Sequence, residues 1–173
     1  MEILIILIAI VQTFAISLGV GSSTLAIVNF FVAIADGRID ETERRMMGIA
    51  YIILRIAMLT ILITSSIILG YNSQHLGLGA FTLYVISQFV LIFVLYTNAL
   101  MMTMRIMPST FGPAIQAGTW YTLGVLAALV PLGLNEFTFV NFILAYITTL
   151  TLAVSLINGI MAYLKHKKKT ATK

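Results

Sequence analysis

The stretch SLGVGSSTLAIVNFFVAIADGRIDETE, residues 17–43, decides how the chain is organised. It carries small residues inside an apolar run, then a turn, and then the start of another helix. Asp40 is a good N-cap residue, and Glu43 three positions later completes an Asp version of the capping box. Asp36-Gly37 supplies the turn before it. The stretch therefore predicts two long helices joined by a short connection.

The apolar content of the chain is too high for a soluble domain of its size. Of its 173 residues, 60% are hydrophobic and only 9% are charged, with a mean hydropathy of +1.05. A small fold keeps much of its side-chain area on the surface, so lipid must cover most of this one. The apolar runs do not alternate with a period of two, as barrel strands do. These features predict an all-α integral membrane bundle.

Five apolar segments are long enough to cross a bilayer, which takes roughly 17–25 residues as a helix. We predict one transmembrane domain over residues 1–173, with helices at about 3–35, 41–70, 79–105, 114–131 and 136–165. The second residue is Glu2, whereas a secretory signal begins with a positive region. We therefore expect the first segment to be a retained helix.

Basic residues predict the orientation of the bundle. They lie in the first connection, in the third connection and in the C-terminal tail, whereas the second and fourth connections have no Lys or Arg. With five spans, these three regions lie on one side of the membrane, and that side is the cytoplasm by the positive-inside rule. We predict the N-terminus outside and the C-terminus in the cytoplasm. The basic residues are Arg38, Arg44, Arg45, Arg105, Lys165, Lys167, Lys168, Lys169 and Lys173.

Small residues recur four apart on the first helix, at Ala15, Gly19 and Ser23 and again at Ser17 and Gly21. This spacing lets a neighbouring backbone approach closely. An unwound site that binds an ion through freed carbonyl groups is the other interpretation. Similar pairs occur in the fourth and fifth helices, at Ala114/Gly118, Gly124/Ala128 and Ser155/Gly159.

Polar residues on several helices fall at one depth near the inner leaflet, from a rise of about 1.5 Å per residue. The candidate polar layer is Ser22, Arg55, Asn98, Ser155 and Asn158. Arg55 either extends to lipid phosphate or faces the bundle interior, where it would select anions or lipid head groups.

Trp120 and Tyr121 lie where the fourth helix leaves the inner interface. Tryptophan and tyrosine are enriched at that depth, because their rings are apolar and each carries a polar group. We expect both residues to belong in part to an interfacial aromatic belt.

The sequence predicts no bound cofactor or metal. It has no Cys, which excludes disulfides, thiolate metal sites and Cys-held iron–sulfur clusters. Its two imidazoles, His75 and His166, lie in an outer connection and in the tail, which excludes a haem held between them. The only candidate copper ligands are the thioethers of Met101, Met104 and Met107, for which flexible packing at a helix end is the alternative.

Several short motifs resemble those of uncharacterised small bacterial multi-pass membrane proteins that are loosely similar to copper-resistance-protein-D-like proteins. They are residues 17–24, Asn29-Phe-Phe, the turn at 36–39, Thr119-Trp-Tyr121 and Ile157-Asn-Gly159. The resemblance implies a multi-pass protein of the bacterial inner membrane, which is the plasma membrane. Relatives of this kind often carry His on membrane helices. The apolar segments here contain none, so the resemblance transfers no haem or copper ligand.

These observations lead to two functional hypotheses. The first is transport or permeation of a small ion, metal or lipid head group through the polar layer. The alternative is a non-catalytic subunit or scaffold of a membrane complex, so a homo-oligomer or a membrane partner subunit is possible. No Ser-His-Asp or metalloprotease spacing occurs, which predicts that the protein is not an enzyme. Its basic residues cluster at helix ends, which indicates contact with the lipid bilayer and not with nucleic acid.

Overall fold

The computed structural model describes residues 2–36, 40–107, 111–134 and 136–171. This part of the chain is all-helical, and five of its helices are long and apolar enough to cross a membrane. The prediction of a helical membrane bundle is thereby confirmed, whereas its orientation stays a prediction. The helices are α1 (Glu2–Asp36), α2 (Glu41–Leu76), α3 (Leu83–Thr103), α4 (Phe111–Leu129) and α5 (Phe139–Ala171), with short 3-10 turns at Gly77–Ala80 and Val130–Leu132.

Some predicted features lie outside the described residues. These are Gly37 of the turn, Arg38, the end of the tail at Lys173, and the side chains of Lys165, Lys167, Lys168 and Lys169.

The predicted start of α2 is confirmed. The Glu43 backbone N–H donates to Asp40 Oδ1 at 2.6 Å, and the Asp40 N–H donates to Glu43 Oε2 at 3.1 Å. Both bonds of the capping box are therefore present. They satisfy N–H groups that have no partner within the helix itself.

Helix α2 is longer than the sequence predicts, because it continues through Gly70 to Leu76. A glycine inside a helix costs only about 1 kcal/mol, so Gly70 alone does not end it. The helix ends at Gly77, whose φ of 56° leaves the helical region. Helix α3 then begins at Leu83 instead of Gly79, after Thr82, whose hydroxyl accepts from the Val85 N–H.

Helix α3 ends in a Schellman motif, with Arg105 in the position that glycine usually takes. Arg105 has a φ of 58°. Its N–H donates to the Met102 carbonyl at 3.1 Å, and the Ile106 N–H donates to the Met101 carbonyl at 3.0 Å. A left-handed backbone brings the side chain of an L-residue too close to the following carbonyl, so Arg105 is strained.

Helix α4 lies at the centre of the bundle and packs against α1, α3 and α5, while α1 pairs mainly with α2. The contact between α1 and α4 depends on Gly19. A Cβ atom on Gly19 would collide with the Trp120 indole ring. Trp120 is therefore fully buried, and the prediction that it belongs to an interfacial belt is wrong. The ring lies inside because the small residues of α1 leave room for it.

The two small-residue stripes of α1 face opposite ways. Ala15, Gly19 and Ser23 are buried, as close helix packing predicts. Ser17 is exposed, and a Cβ atom on Gly21 would meet open space. Only one of the two stripes therefore packs against the rest of the chain.

Candidate functional site

A cavity of about 290 Å³ opens between α1, α2, α3 and α4. It lies on the side where α1 ends and α2 begins, which is also the side of Arg44, Arg45 and Arg105. We call it the basic-side cavity. Its lining residues are Ser23, Ala26, Ile27, Tyr51, Leu54, Arg55, Met58, Ala99, Met102, Thr103, Pro113 and Gln116.

Among the described residues, Arg55 is the one charged residue in this lining. It is exposed, and no carboxylate pairs with it within the described residues. A cation inside an apolar segment is costly, so such residues are rare and usually face a partner or a water-filled cavity. Arg55 therefore gives the basic-side cavity an uncompensated positive charge.

Ser23 contributes a hydroxyl without a hydrogen-bond partner. Ser23 is only 2% exposed, yet it lines the basic-side cavity. The Ser23 Oγ atom makes no hydrogen bond within the described part of the chain. Buried polar atoms are nearly always paired with protein, water or a ligand, so this hydroxyl at the cavity wall lacks the partner that such atoms usually have.

The amide of Gln116 forms part of the cavity wall on α4, and Asn98 of α3 lies behind it. Asn98 Nδ2 donates to Gln116 Oε1 at 2.9 Å and to the Gly112 carbonyl at 3.0 Å. Gln116 Nε2 in turn donates to Met58 Sδ at 3.5 Å. Because a thioether is a weak acceptor, the Gln116 N–H groups can turn to a better one. Asn98 Oδ1 is buried without a partner among the described residues.

A second cavity, of about 200 Å³, lies toward the opposite end of the bundle. We call it the far-side cavity. Three polar side chains at its wall join three helices, since Ser65 Oγ accepts from Gln12 Nε2 at 2.7 Å and from Gln88 Nε2 at 3.1 Å. The lining also includes Asn72 and Tyr84, and none of its described residues is charged.

An apolar layer separates the two cavities. On α1, α2 and α3, the residues of this layer lie between the residues that line the basic-side cavity and those that line the far-side cavity. On α4, they lie between the basic-side cavity and the end of the helix. Ile61, Leu91, Leu95 and Trp120 have no exposed surface at all. The central layer comprises Ile16, Ile61, Leu91, Leu95, Trp120 and Leu123.

Two residues of the predicted polar layer lie at the basic-side cavity or directly behind its wall. Arg55 lines the basic-side cavity, and Asn98 is bonded to its wall residue Gln116. The other three lie elsewhere within the described chain. Ser22 borders a shallow outward groove on α1, Ser155 is exposed on α5, and Asn158 is half-buried without lining either cavity.

The methionines at the cavity differ from those that the sequence suggested. Met58 and Met102 line the basic-side cavity, whereas Met101, Met104 and Met107 line neither the basic-side cavity nor the far-side cavity. Met104 is 60% exposed. The described residues also contain no group of three or more His, Asp or Glu side chains that could hold a metal ion.

Sequence reasoning missed Ser23, Gln116 and the cluster of Gln12, Ser65 and Gln88. Ser23 continues the stripe of Ala15 and Gly19, which was a signal for its inward direction. The cluster of Gln12, Ser65 and Gln88 had a weaker signal in the sequence. Gln12 and Gln88 each lie inside an apolar run.

No family model matches this sequence, and no similar protein was found among curated proteins or solved structures. The resemblance to copper-resistance-protein-D-like proteins therefore stays a prediction.

Proposed function

We propose that this protein is a non-enzymatic transport or permeation protein of the bacterial inner membrane, and that a small solute passes between the two cavities. The basic side would face the cytoplasm, as the positive-inside rule predicts. The observation that carries the proposal is the order of the sites along the bundle. A cavity with polar side chains in its wall lies toward each end, and a layer of buried apolar side chains lies between them.

The distance between the cavities is short enough for a gate. Ser65 at the far-side cavity and Met58 at the basic-side cavity lie on the same helix, α2. Their separation is about 10 Å at ~1.5 Å per residue. Transporters commonly bind their substrates near the middle of the membrane and close the path on one side. A closed path with a cavity on each side fits such a protein.

Trp120 is the largest fully buried side chain of the central layer, and its removal tests the proposal. In vesicles that enclose a chloride-quenched dye, Trp120→Ala should admit chloride faster than the wild type, because it joins the cavities. Trp120→Phe keeps a ring in the layer and should stay closed. Ile61→Ala, which opens the layer from α2, should also leak.

The contradicting result is equally definite. If Trp120→Ala and Ile61→Ala keep their helical circular dichroism and admit chloride no faster than the wild type, the two cavities do not belong to one path.

Arg55→Leu in the Trp120→Ala background should lower the chloride leak, because the positive charge at the cavity is lost. An unchanged leak would remove Arg55 from the path.

The groove on α1 supports the alternative, a non-catalytic subunit of a membrane complex. Five of the residues that border it are exposed, namely Phe14, Ser17, Leu18, Gly21 and Leu25, and the sixth, Ser22, is buried. A partner helix could approach closely at the small residues. Under this alternative, Gly21→Ile would release a co-purifying membrane protein, while Trp120→Ala would leave the chloride leak unchanged.

A further inference from the structure

We infer that the basic-side cavity binds an anionic amphiphile, a molecule with one carboxylate or phosphate head and a short aliphatic part. The inference rests on the proposed function only in treating this cavity as the substrate site. The juxtaposition that carries it is an unpaired cation and a buried unpartnered hydroxyl in one cavity with an otherwise largely apolar wall.

The charge of the cavity selects an anion. Arg55 is the only charged residue that lines it in the described part of the chain, so a cationic ligand would be repelled there. A guanidinium group has five donors in a planar fork that matches a carboxylate or a phosphate. Arg55 is exposed and lines the cavity, so protein does not enclose this side chain.

The neutral polar groups of the wall can add donors to the same head group. The Ser23 hydroxyl has no partner within the described residues, and the Gln116 Nε2 group donates there only to the Met58 sulfur, while its Oε1 accepts from Asn98. A charged oxygen is a better acceptor than a thioether, so an anion would draw the Gln116 N–H toward it.

The rest of the wall suits an aliphatic group and not water alone. Apart from the hydroxyl-bearing residues Tyr51 and Thr103, it consists of Ala26, Ile27, Leu54, Ala99 and Pro113, together with the thioether side chains of Met58 and Met102. Methionine side chains adapt to ligands of different shape. A volume of about 290 Å³ is near the lower end of the ~300–1,000 Å³ of small-molecule sites, so the ligand is a head group with a short chain.

The test is a titration of the purified full chain in phosphatidylcholine nanodiscs by calorimetry, with empty nanodiscs as the blank. The probes have the same length of alkyl chain and differ in their polar head group. They are decanoate, decanol and decyltrimethylammonium. Decanoate should bind at least about tenfold tighter than decanol, because a hydrogen bond to a charged group adds roughly 1.5–3 kcal/mol. Decyltrimethylammonium should not compete with decanoate.

Arg55→Leu should weaken decanoate binding by about tenfold or more and leave decanol unchanged. Arg45→Leu is the matched control, since Arg45 is exposed on the same helix but does not line the cavity. Ser23→Ala should weaken decanoate by a smaller factor. Equal affinities for decanoate and decanol, or equal losses in Arg55→Leu and Arg45→Leu, would overturn the inference.

Two sources of the ligand give different results. If the natural ligand is a bilayer lipid, phosphatidylglycerol in the nanodiscs should compete with decanoate in the wild type but not in Arg55→Leu. If it is a free amphiphile, phosphatidylglycerol should not compete. Either result supports the anionic head group. The binding assay requires no transport and the chloride leak requires no amphiphile, so either proposal can fail while the other stands.

Discussion

The two cavities are built from similar polar side chains but differ in how those side chains are satisfied. At the far-side cavity, the hydroxyl of Ser65 accepts two amide N–H groups from neighbouring helices. At the basic-side cavity, the hydroxyl of Ser23 has no partner among the described residues, and an unpaired Arg55 lies in the same wall. A closed network stabilises the bundle, whereas unpaired donors are available to a ligand.

This difference assigns a separate role to each end of the molecule. The Gln12–Ser65–Gln88 cluster joins α1, α2 and α3, so its first effect is on stability. The basic-side cavity retains a charge and a buried hydroxyl that cost free energy in the folded protein, and a ligand would recover part of that cost. Three substitution experiments test these roles, in order of decreasing effect on stability.

Gly19→Ala tests the layer that keeps the two cavities apart. A Cβ atom on Gly19 would overlap the Trp120 ring, which is rigid and fully buried. We expect a loss of about 2–3 kcal/mol, near the upper range for overpacking. The measurement is the free energy of unfolding in SDS, monitored by circular dichroism.

Gly21→Ala is the control for this substitution. It lies on the same helix two residues away, where a Cβ atom meets open space. It should leave stability unchanged or raise it slightly, because alanine favours helix. Equal losses in the two variants would mean that α1 does not pack on α4 through Gly19.

Ser65→Ala and Ser23→Ala test the contrast between the two hydroxyls directly. Both serines are almost fully buried, at 3% and 2% exposed. Ser65→Ala removes the acceptor of Gln12 and Gln88, so we expect a loss of about 1–2 kcal/mol. Ser23→Ala removes an unpartnered group and should leave stability without ligand unchanged or slightly higher. If Ser23→Ala were the more destabilising change, the assignment of roles would be reversed.

Arg105→Gly should have the smallest effect, and it should be stabilising. Arg105 has a left-handed backbone conformation, which costs an L-residue roughly 1–2 kcal/mol and which glycine adopts without strain. Part of the free energy gained by the substitution is lost, because glycine has more conformational freedom in the unfolded chain. The expected net gain is up to about 1 kcal/mol by the same SDS unfolding. Arg105→Ala keeps the strain and is the control. A loss in Arg105→Gly would indicate that the guanidinium group makes a stabilising contact.

The local features of the fold were accessible to sequence reasoning. The capping box at Asp40 and Glu43 depends on neighbours in the chain, and the five apolar runs depend on composition, so both were predictable. The end of α2 was not, because Gly70 and Gly77 are the same residue type. Only the backbone shows that Gly77, with its φ of 56°, is the one that leaves the helix.

The candidate site was predictable in depth but not in direction. Helical rise gave the level of Arg55 and Asn98, and both are at the basic-side cavity. The helical rise could not show whether Ser22 or Ser23 faces the basic-side cavity, because the two side chains differ by about 100° in direction around the helix axis. That angle depends on which face of α1 receives Trp120, and this is a tertiary contact between residues far apart in the sequence.

The central claim is that two cavities open to opposite sides of the membrane with a dry layer between them. The chain has no Cys, so single cysteines report their positions without background. The measurement is labelling of Ser23→Cys and Asn72→Cys in sealed, oriented vesicles with a small membrane-impermeant thiol reagent. We predict that Ser23→Cys reacts only from the side of the C-terminal tail and Asn72→Cys only from the other side. Reaction of both from one side would contradict the account.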